Sequence, residues 1–295
     1  MSSTLFDAIA EAAVRLNAAG VDSPKLAAQV LLAHTLGVPR SQLLALASED
    51  LLQPHHLIIY RMLITRCVTG EPMAYVVGHT EFYALDFATD RRALIPRPET
   101  EHLVELALAR VQCQISNVKC QIVDVGTGCG CVAIALANQL PDVHWIATDI
   151  SEEALSLARK NAERHKVSSR IQFLQGDLLA PAPAQVEGVV ANLPYVTTAE
   201  WQNLPRHIRE HEPRIALDGG ADGLDLFRRL FAQAPQHVKP DGWLLLEIGA
   251  TQGQAVSALA RQAFPRAAVN LHKDYAGLQR VVEVQFHTAA GARVQ

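Results

Sequence analysis

Residues 189–195 read VVANLPY, an apolar run followed by an amide, a leucine, a proline and an aromatic ring. These residue types at this spacing can grip a flat amino group. Such a group has its lone pair delocalised into a ring or carbonyl and is a poor nucleophile. Two fixed acceptors, each taking one N–H, aim that lone pair at an electrophilic carbon, and the fixed geometry then supplies most of the rate. The Asn192 side-chain oxygen is one acceptor, and a backbone carbonyl just after it is the other. Tyr195 can cover the flat face of the bound group. No strong base is needed before transfer, because the product sheds its proton afterwards. The same residues also suit a strand that simply ends in a turn, so their surroundings decide.

A second cluster lies upstream. Residues 124–130 read DVGTGCG, and the spacing is G-x-G-x-G. Glycines let the chain turn tightly and let a ligand approach the backbone closely. The dinucleotide fingerprint would require glycine at 131, where this chain has Cys131, so a dehydrogenase is disfavoured. Asp149 follows at the end of the next apolar run, about 20 residues on, where an acid can bind ribose hydroxyls. Asp177 ends the run after that, where its carboxylate could face an adenine amino group. Each acid alone is more often a helix cap or turn residue. Three acids at successive strand ends beside one glycine loop describe an adenosine pocket without a phosphate-binding lysine. S-adenosyl-L-methionine is the cofactor that fits.

These residues need a scaffold that brings strand ends together. From Gln121 the pattern alternates apolar strand and amphipathic helix: IVDVG, CVAIALANQL, HWIATDI, SEEALSLARKNAERHK, IQFLQGD, GVVANLPY, GLDLFRRLFAQAPQHV, GWLLLEIG and TQGQAVSALARQAF. Such alternation implies a mostly parallel sheet with helices on both faces, and ligands then sit beyond the carboxyl ends of the strands. AVNLHKD and RVVEVQF close the chain as two successive strands, an antiparallel edge pair. The expected fold is α/β: a small helical bundle, a β-hairpin linker, then a Rossmann-like class I methyltransferase domain.

The first seventy residues read as helices. Leu5, Ile9, Ala13 and Leu16 form one face of the first, which stops at Gly20. Ser23 before Pro24 reads as an N-cap, Ser41 as the cap of a short third helix through Leu46, and Pro54 as the start of a fourth that stops at Gly70. Residues 71–95 are rich in aromatic and β-branched side chains and read as short strands. Pro96-Arg97-Pro98 ends that segment, and Glu99-Thr100-Glu101 starts a helix. The expected domains are therefore 1–72, a 73–95 linker, and 96–295.

Bulk properties exclude several classes. The 295 residues carry a formal charge of −4, which gives no basic footprint for stable nucleic-acid binding. No apolar run approaches a membrane span, and the N-terminus lacks a basic, cleavable leader pattern. The five cysteines show no C-x-x-C spacing, so reduced thiols in a cytoplasmic protein are expected, with no metal site.

Asn-x-Pro-Tyr resembles the Asn-Pro-Pro-Tyr amino methyltransferases, which act on adenine, cytosine or glutamine amide nitrogen. The blocks GEPMAYVVGHTEFYALDF, ALIPRPETEHLVELAL, HEPRIALDGGADGLDLFRRL, LLLEIGATQGQ and KDYAGLQRVV look like the release factor glutamine methyltransferases, known as PrmC or HemK. The resemblance covers nearly the whole chain. It implies methyl transfer from S-adenosyl-L-methionine to the glutamine of the Gly-Gly-Gln loop in class 1 peptide release factors, a step in translation termination. It also implies that Asp124, Val125, Gly126, Thr127, Gly128 and Asp149 hold the cofactor, with Asp177 and Leu178 near the adenine. Asn192, Leu193, Pro194 and Tyr195 would hold the glutamine amide. Arg97, Glu99 and Glu247 would line the mouth of the substrate site or fix its loop, although Arg97 could simply pair with Glu99 or Glu101. The helical N-terminal domain and hairpin would help grip the release factor.

Two positions depart from the family pattern. Leu193 replaces the first proline, and Leu178 stands where some relatives carry an aromatic. Because Pro194 still holds Leu193 extended, Leu193→Pro is expected to leave activity similar or raise it. The Asn-Leu-Pro-Tyr form also occurs in ribosomal RNA adenine dimethylases, which makes a nucleic-acid adenine N6-methyltransferase the main rival. Those enzymes lack the IPRPET and HEPR blocks. A non-catalytic S-adenosylmethionine-binding adaptor is the other alternative, and the intact Asn192 and open glycine loop argue against it.

Overall fold

The computed structural model describes residues 4–45, 51–112 and 120–287. The chain separates into two compact units, one comprising 1–79 with 205–211, the other 80–204 with 212–295.

In the first unit, α1 (Leu5–Ala18) is capped by the Thr4 side chain, which accepts from the Asp7 N–H. Its buried face is Leu5, Ala8, Ala12 and Leu16, with Ile9 and Ala13 at the border rather than at the centre of the stripe. α2 (Pro24–Leu36) ends at Gly37 in the left-handed conformation. Ser23 precedes it but makes no capping hydrogen bond, because its own backbone is left-handed and turns the hydroxyl away from the helix. α3 (Arg40–Ala45) begins one residue before Ser41, which therefore lies inside the helix instead of capping it; Leu46 falls outside the described residues. α4 (Pro54–Val68) packs on α2, where the buried Tyr60 hydroxyl donates to the Ala28 carbonyl at 3.0 Å. The MAYVV block forms α5 (Met73–Val77) instead of a strand, opened by Pro72 and closed by the left-handed Gly78.

The hairpin follows as β1 (His79–Phe82) and β2 (Leu85–Ala88), joined by Tyr83 and Ala84, both with φ above zero. A 3-10 turn over Pro98–Thr100 leads into α6 (Glu101–Gln112). Then come β3 (Gln121–Val125), α7 (Cys131–Gln139), β4 (His144–Asp149), α8 (Glu152–Arg164), β5 (Ile171–Gln175) and β6 (Val186–Asn192). Two short helices, α9 (Thr198–Gln202) and α10 (Arg206–His211), precede α11 (Asp225–His237); α10 groups with the first unit. β7 (Val238–Glu247), α12 (Gly253–Ala263), β8 (Ala268–Lys273) and β9 (Gln279–Gln285) complete the chain.

The large sheet has the order β5-β4-β3-β6-β7-β9-β8. The first five are parallel, while β9 runs antiparallel to both β7 and β8. Side chains alternate between two cores. Ile122, Trp145, Val190 and Leu245 face one, with α6 and α7; Val123, Ile146, Val189 and Leu244 face the other, with α11 and α12. Burial on both faces explains why the strands read as near-continuous apolar runs. The strand order reverses between β3 and β6, so the ends of those strands open a crevice. Asn161 of α8 fastens the hairpin to the glycine loop. Its side chain accepts from the Ala88 N–H at 2.8 Å and donates to the Cys129 carbonyl at 3.0 Å.

Candidate active site

The crevice is a cavity of about 210 Å³ at the ends of β3, β4 and β6. The glycine loop forms its floor. Gly126 and Gly128 have φ of 72° and 57°, a region that costs other residues strain. The N–H groups of Gly126 and Thr127 both donate to the Thr148 carbonyl. Asp124 is buried beneath, where its Oδ2 accepts the Thr127 hydroxyl at 2.6 Å and the Ala133 N–H at 3.1 Å. Burial pushes the Asp124 carboxyl up to about 6 against those hydrogen bonds. Val125 faces away from the cavity, fully buried in the core.

Asp149 accepts the Gly128 N–H on one carboxylate oxygen and the Ser151 N–H on the other, both at 2.9 Å. Its carboxyl is raised, by burial first. Asp177 lies two residues beyond the end of β5, on the cavity wall, and is engaged by Arg229. Leu178 beside it has φ 53°, and its carbonyl accepts the Thr148 hydroxyl. A leucine held left-handed at a cavity wall is local strain maintained by its surroundings. Exposed Ile150 and Ile215 supply further apolar lining.

The wall opposite is the segment Arg92–Arg97. Arg97 pairs with Glu212 at 2.6 Å, and not with Glu99 or Glu101. Glu212 is buried and also accepts the Ile95 N–H, so it stitches the IPRP segment to the HEPR segment. Glu99 is exposed and lies outside the cavity lining. Among the described residues no lysine lines the cavity, and the three arginines that do are each taken by a carboxylate, Asp90, Glu212 or Asp177. The chamber therefore suits an uncharged adenosine body, as in S-adenosyl-L-methionine, better than a phosphate.

Asn192 stands at the end of β6, with Glu247 of β7 as its register partner. Its Nδ2 donates to the Thr100 hydroxyl at 3.0 Å, and its side chain favours the charged form of the neighbouring Glu247 carboxyl. With the amide nitrogen so occupied, Oδ1 is the atom available as an acceptor. Leu193 is buried against the underside of the glycine loop; a Cβ on Gly126 would lie 3.5 Å from its Cδ2. Pro194 lines the cavity, while Tyr195 is half-buried against the core outside the cavity lining. Burial pushes the Tyr195 hydroxyl up to about 12.

The backbone of this stretch is clamped from behind. Val196 N–H donates to Leu217, and Gly219 N–H to Val196. The Tyr195 carbonyl accepts from Gln252 Nε2 at 2.8 Å, and the Pro194 carbonyl faces Gly219. Among the described residues no hydrogen bond occupies the carbonyls of Leu193 and Pro194, and the Leu193 carbonyl is the one that directly follows Asn192. Thr100, Glu212 and Gly219 lay within the quoted sequence blocks, yet no spacing singled them out, because their partners are far away in the chain.

Cys67, Cys120 and Cys129 are buried free thiols and Cys131 is a partly buried one, while Cys113 lies outside the described residues. Burial pushes Cys67 and Cys120 up to about 11. Among the described residues no helix is long and apolar enough to cross a membrane, and no side-chain group could hold a metal.

Strand order and a glycine loop at the floor of the crevice define a class I S-adenosylmethionine-dependent methyltransferase. The family model of the PrmC N-terminal domain matches residues 7–78, and that of the methyltransferase small domain matches 106–211. The release factor glutamine methyltransferase of Moorella thermoacetica is 43% identical over 94% of this chain and 96% of its own. That of Nitratidesulfovibrio vulgaris is 37% identical over 95% and 94%. The chain belongs to the release factor glutamine methyltransferase family. Among solved structures, the N-terminal domain of human METTL16 in complex with SAH shares the fold, with a TM-score of 0.50 at 16% identity over 70% of this chain and 77% of that one.

Proposed function

We propose that this protein methylates the side-chain amide nitrogen of the glutamine in the Gly-Gly-Gln loop of class 1 peptide release factors. The observation that carries this reading is the Asn192 amide, held by Thr100 so that Oδ1 is the free acceptor, in a chain of this family. Asn192 Oδ1 and the Leu193 carbonyl each take one N–H of the glutamine amide. This pins the nitrogen and turns its lone pair toward the cavity. When bound, S-adenosyl-L-methionine supplies an activated methyl on sulfur. The floor at Gly126–Gly128, the carboxylate of Asp149 and the wall at Asp177 and Leu178 hold its adenosine end. Arg97 and Glu212 keep the opposite wall in place. The N-terminal unit, residues 1–72 with the 73–95 segment, contributes to release-factor recognition. The acidic net charge and fully paired cavity arginines favour a protein acceptor over ribosomal RNA.

The test uses labelled S-adenosyl-L-methionine with purified release factor, wild type or with its Gly-Gly-Gln glutamine changed to alanine. Label is expected on the wild-type factor alone. Label on the altered factor, or on RNA only, would overturn the reading. Asn192→Ala is expected to bind the cofactor normally by calorimetry and to lose turnover.

A further inference from the structure

We propose that Glu247 is a positioning residue that, together with Thr100, locks the Asn192 amide in its acceptor orientation and so gives methyl transfer a low-pH limit. This rests on the acceptor role assigned to Asn192 above.

An amide side chain is nearly symmetric in shape. Nothing in packing alone distinguishes its oxygen from its nitrogen, so orientation must come from the hydrogen bonds its ends make. At Asn192 the nitrogen end is the one engaged. One bond runs to Thr100 Oγ1 at 3.0 Å, and the Glu247 carboxyl is near enough that both Thr100 and the Asn192 side chain favour its charged form. Parallel pairing of β6 and β7 puts the two residues side by side, Asn192 opposite Glu247. Glu247 is 1% exposed, and its Oε2 has no hydrogen-bond partner among the described residues. A buried carboxylate with an unused oxygen is costly to keep, and a purely structural position would accept glutamine or an apolar residue instead. Glu247 does not line the cavity, so it works through Asn192 and not on the substrate.

The charged groups facing Glu247 are Arg280 on β9 and Glu99 in the turn before α6, with the un-ionised Tyr195 phenol beside it. Arg280 is itself paired with Asp274 at 3.2 Å, which limits its help. Burial dominates and pushes the Glu247 carboxyl up to about 7. Above that value the carboxylate can only accept, and it holds the Asn192 N–H₂ end. Below it, the protonated group presents an O–H that competes for the Asn192 oxygen and turns the amide the wrong way. Turnover should therefore fall as pH drops through about 7, with cofactor affinity unchanged.

Two measurements test this. The first follows the Asn192 side-chain N–H₂ resonances of the ¹⁵N-labelled full chain from pH 6 to 8.5, identified by their loss in Asn192→Ala. They should titrate near neutrality in the wild type and not in Glu247→Gln. No titration, or the same titration in Glu247→Gln, would overturn the proposal. The second measures kcat on release factor. Glu247→Gln should keep most of the high-pH rate and lose the acid limb, because its amide oxygen still accepts. Glu247→Ala should lose about a hundredfold in kcat while binding S-adenosylhomocysteine normally. A Glu247→Ala enzyme with wild-type kcat, or a Glu247→Gln enzyme as impaired as Glu247→Ala, sinks the inference alone. Titrating resonances in a wild-type enzyme that never labels release factor would instead support the positioning and remove the functional reading.

Discussion

Gly219→Ala is the most discriminating perturbation of the acceptor site, because its effect follows from backbone geometry alone. A Cβ at 219 would lie 2.5 Å from the Pro194 carbonyl oxygen, 2.9 Å from Tyr195 Cα and 3.0 Å from the Gly223 carbonyl. Those neighbours are backbone atoms and cannot rotate out of the way. The segment is also held to 194–198 by the Val196–Leu217, Gly219–Val196 and Thr198–Gly220 hydrogen bonds. Ordinary contact needs close to 1 Å more room, so one of the two backbones must shift by about that much in a close-packed interior. The side that moves carries Pro194, next to the Leu193 carbonyl and the Asn192 oxygen. A displacement near 1 Å at a reacting group is worth roughly a hundredfold in rate. Stability should fall by about 1–3 kcal/mol from the overpacking. The assay is single-turnover methyl transfer to release factor at saturating cofactor, paired with calorimetry of S-adenosylhomocysteine binding. The expected outcome is a large loss in rate with near-normal cofactor affinity, since the atoms nearest a Cβ at 219 belong to Pro194, Tyr195 and Gly223 and not to the glycine loop. A Gly219→Ala enzyme with unchanged rate would show that the 217–220 segment does not set the position of Asn192–Tyr195. The reasoning about the clamp would then be wrong.

Arg97→Ala should cost about 3 kcal/mol in a denaturant titration, because it leaves the buried Glu212 carboxylate without its cation; a variant as stable as wild type would mean that Glu212 becomes protonated or solvated instead. Leu193→Pro is expected to leave activity similar or raise it, but Leu193 is 2% exposed and fills space under Gly126. The exchange should lower stability by about 1–2 kcal/mol in thermal or chemical unfolding while the 193 carbonyl keeps its aim, with equal stability refuting the packing role. For Glu247 the folded-state value is raised, from 4.5 to about 7, so its contribution to stability is fully present below about 4.5 and is lost as pH rises through 7. Glu247→Gln cannot ionise and should gain in Tm relative to wild type between pH 5 and pH 8; a difference that stays constant across that range would argue against an ionised, buried Glu247.

How much was legible beforehand differs between elements. The alternation from Gln121 onward gave every strand of the large sheet, most plainly the central ones, because strands buried on both faces must be continuously apolar. The MAYVV block misled for a related reason: short runs of β-branched and aromatic residues do not distinguish a strand from a single buried helical turn. The hairpin turn at Tyr83-Ala84 carries none of the usual glycine or asparagine signals, so only the folded chain reveals where it reverses. Ser23 and Ser41 had the residue type for a cap, but the local backbone left one unable to reach the helix and placed the other inside it.

The sequence by itself determined the chemistry on offer: a glycine loop, acids following successive apolar runs, and Asn192 ahead of Pro194 and Tyr195. Residue type and local spacing are properties of the chain, and short-range patterns express them directly. Only the tertiary structure decided what each group does with its free valences. It turned Val125 and Leu193 into the core, gave Arg97 to Glu212 over its sequence neighbours, and set Thr100 and Glu247 against the Asn192 amide. Those choices depend on strand register and on loops that meet across more than a hundred positions of chain. Hydrogen-bond partners at that separation leave no periodicity for a sequence to display.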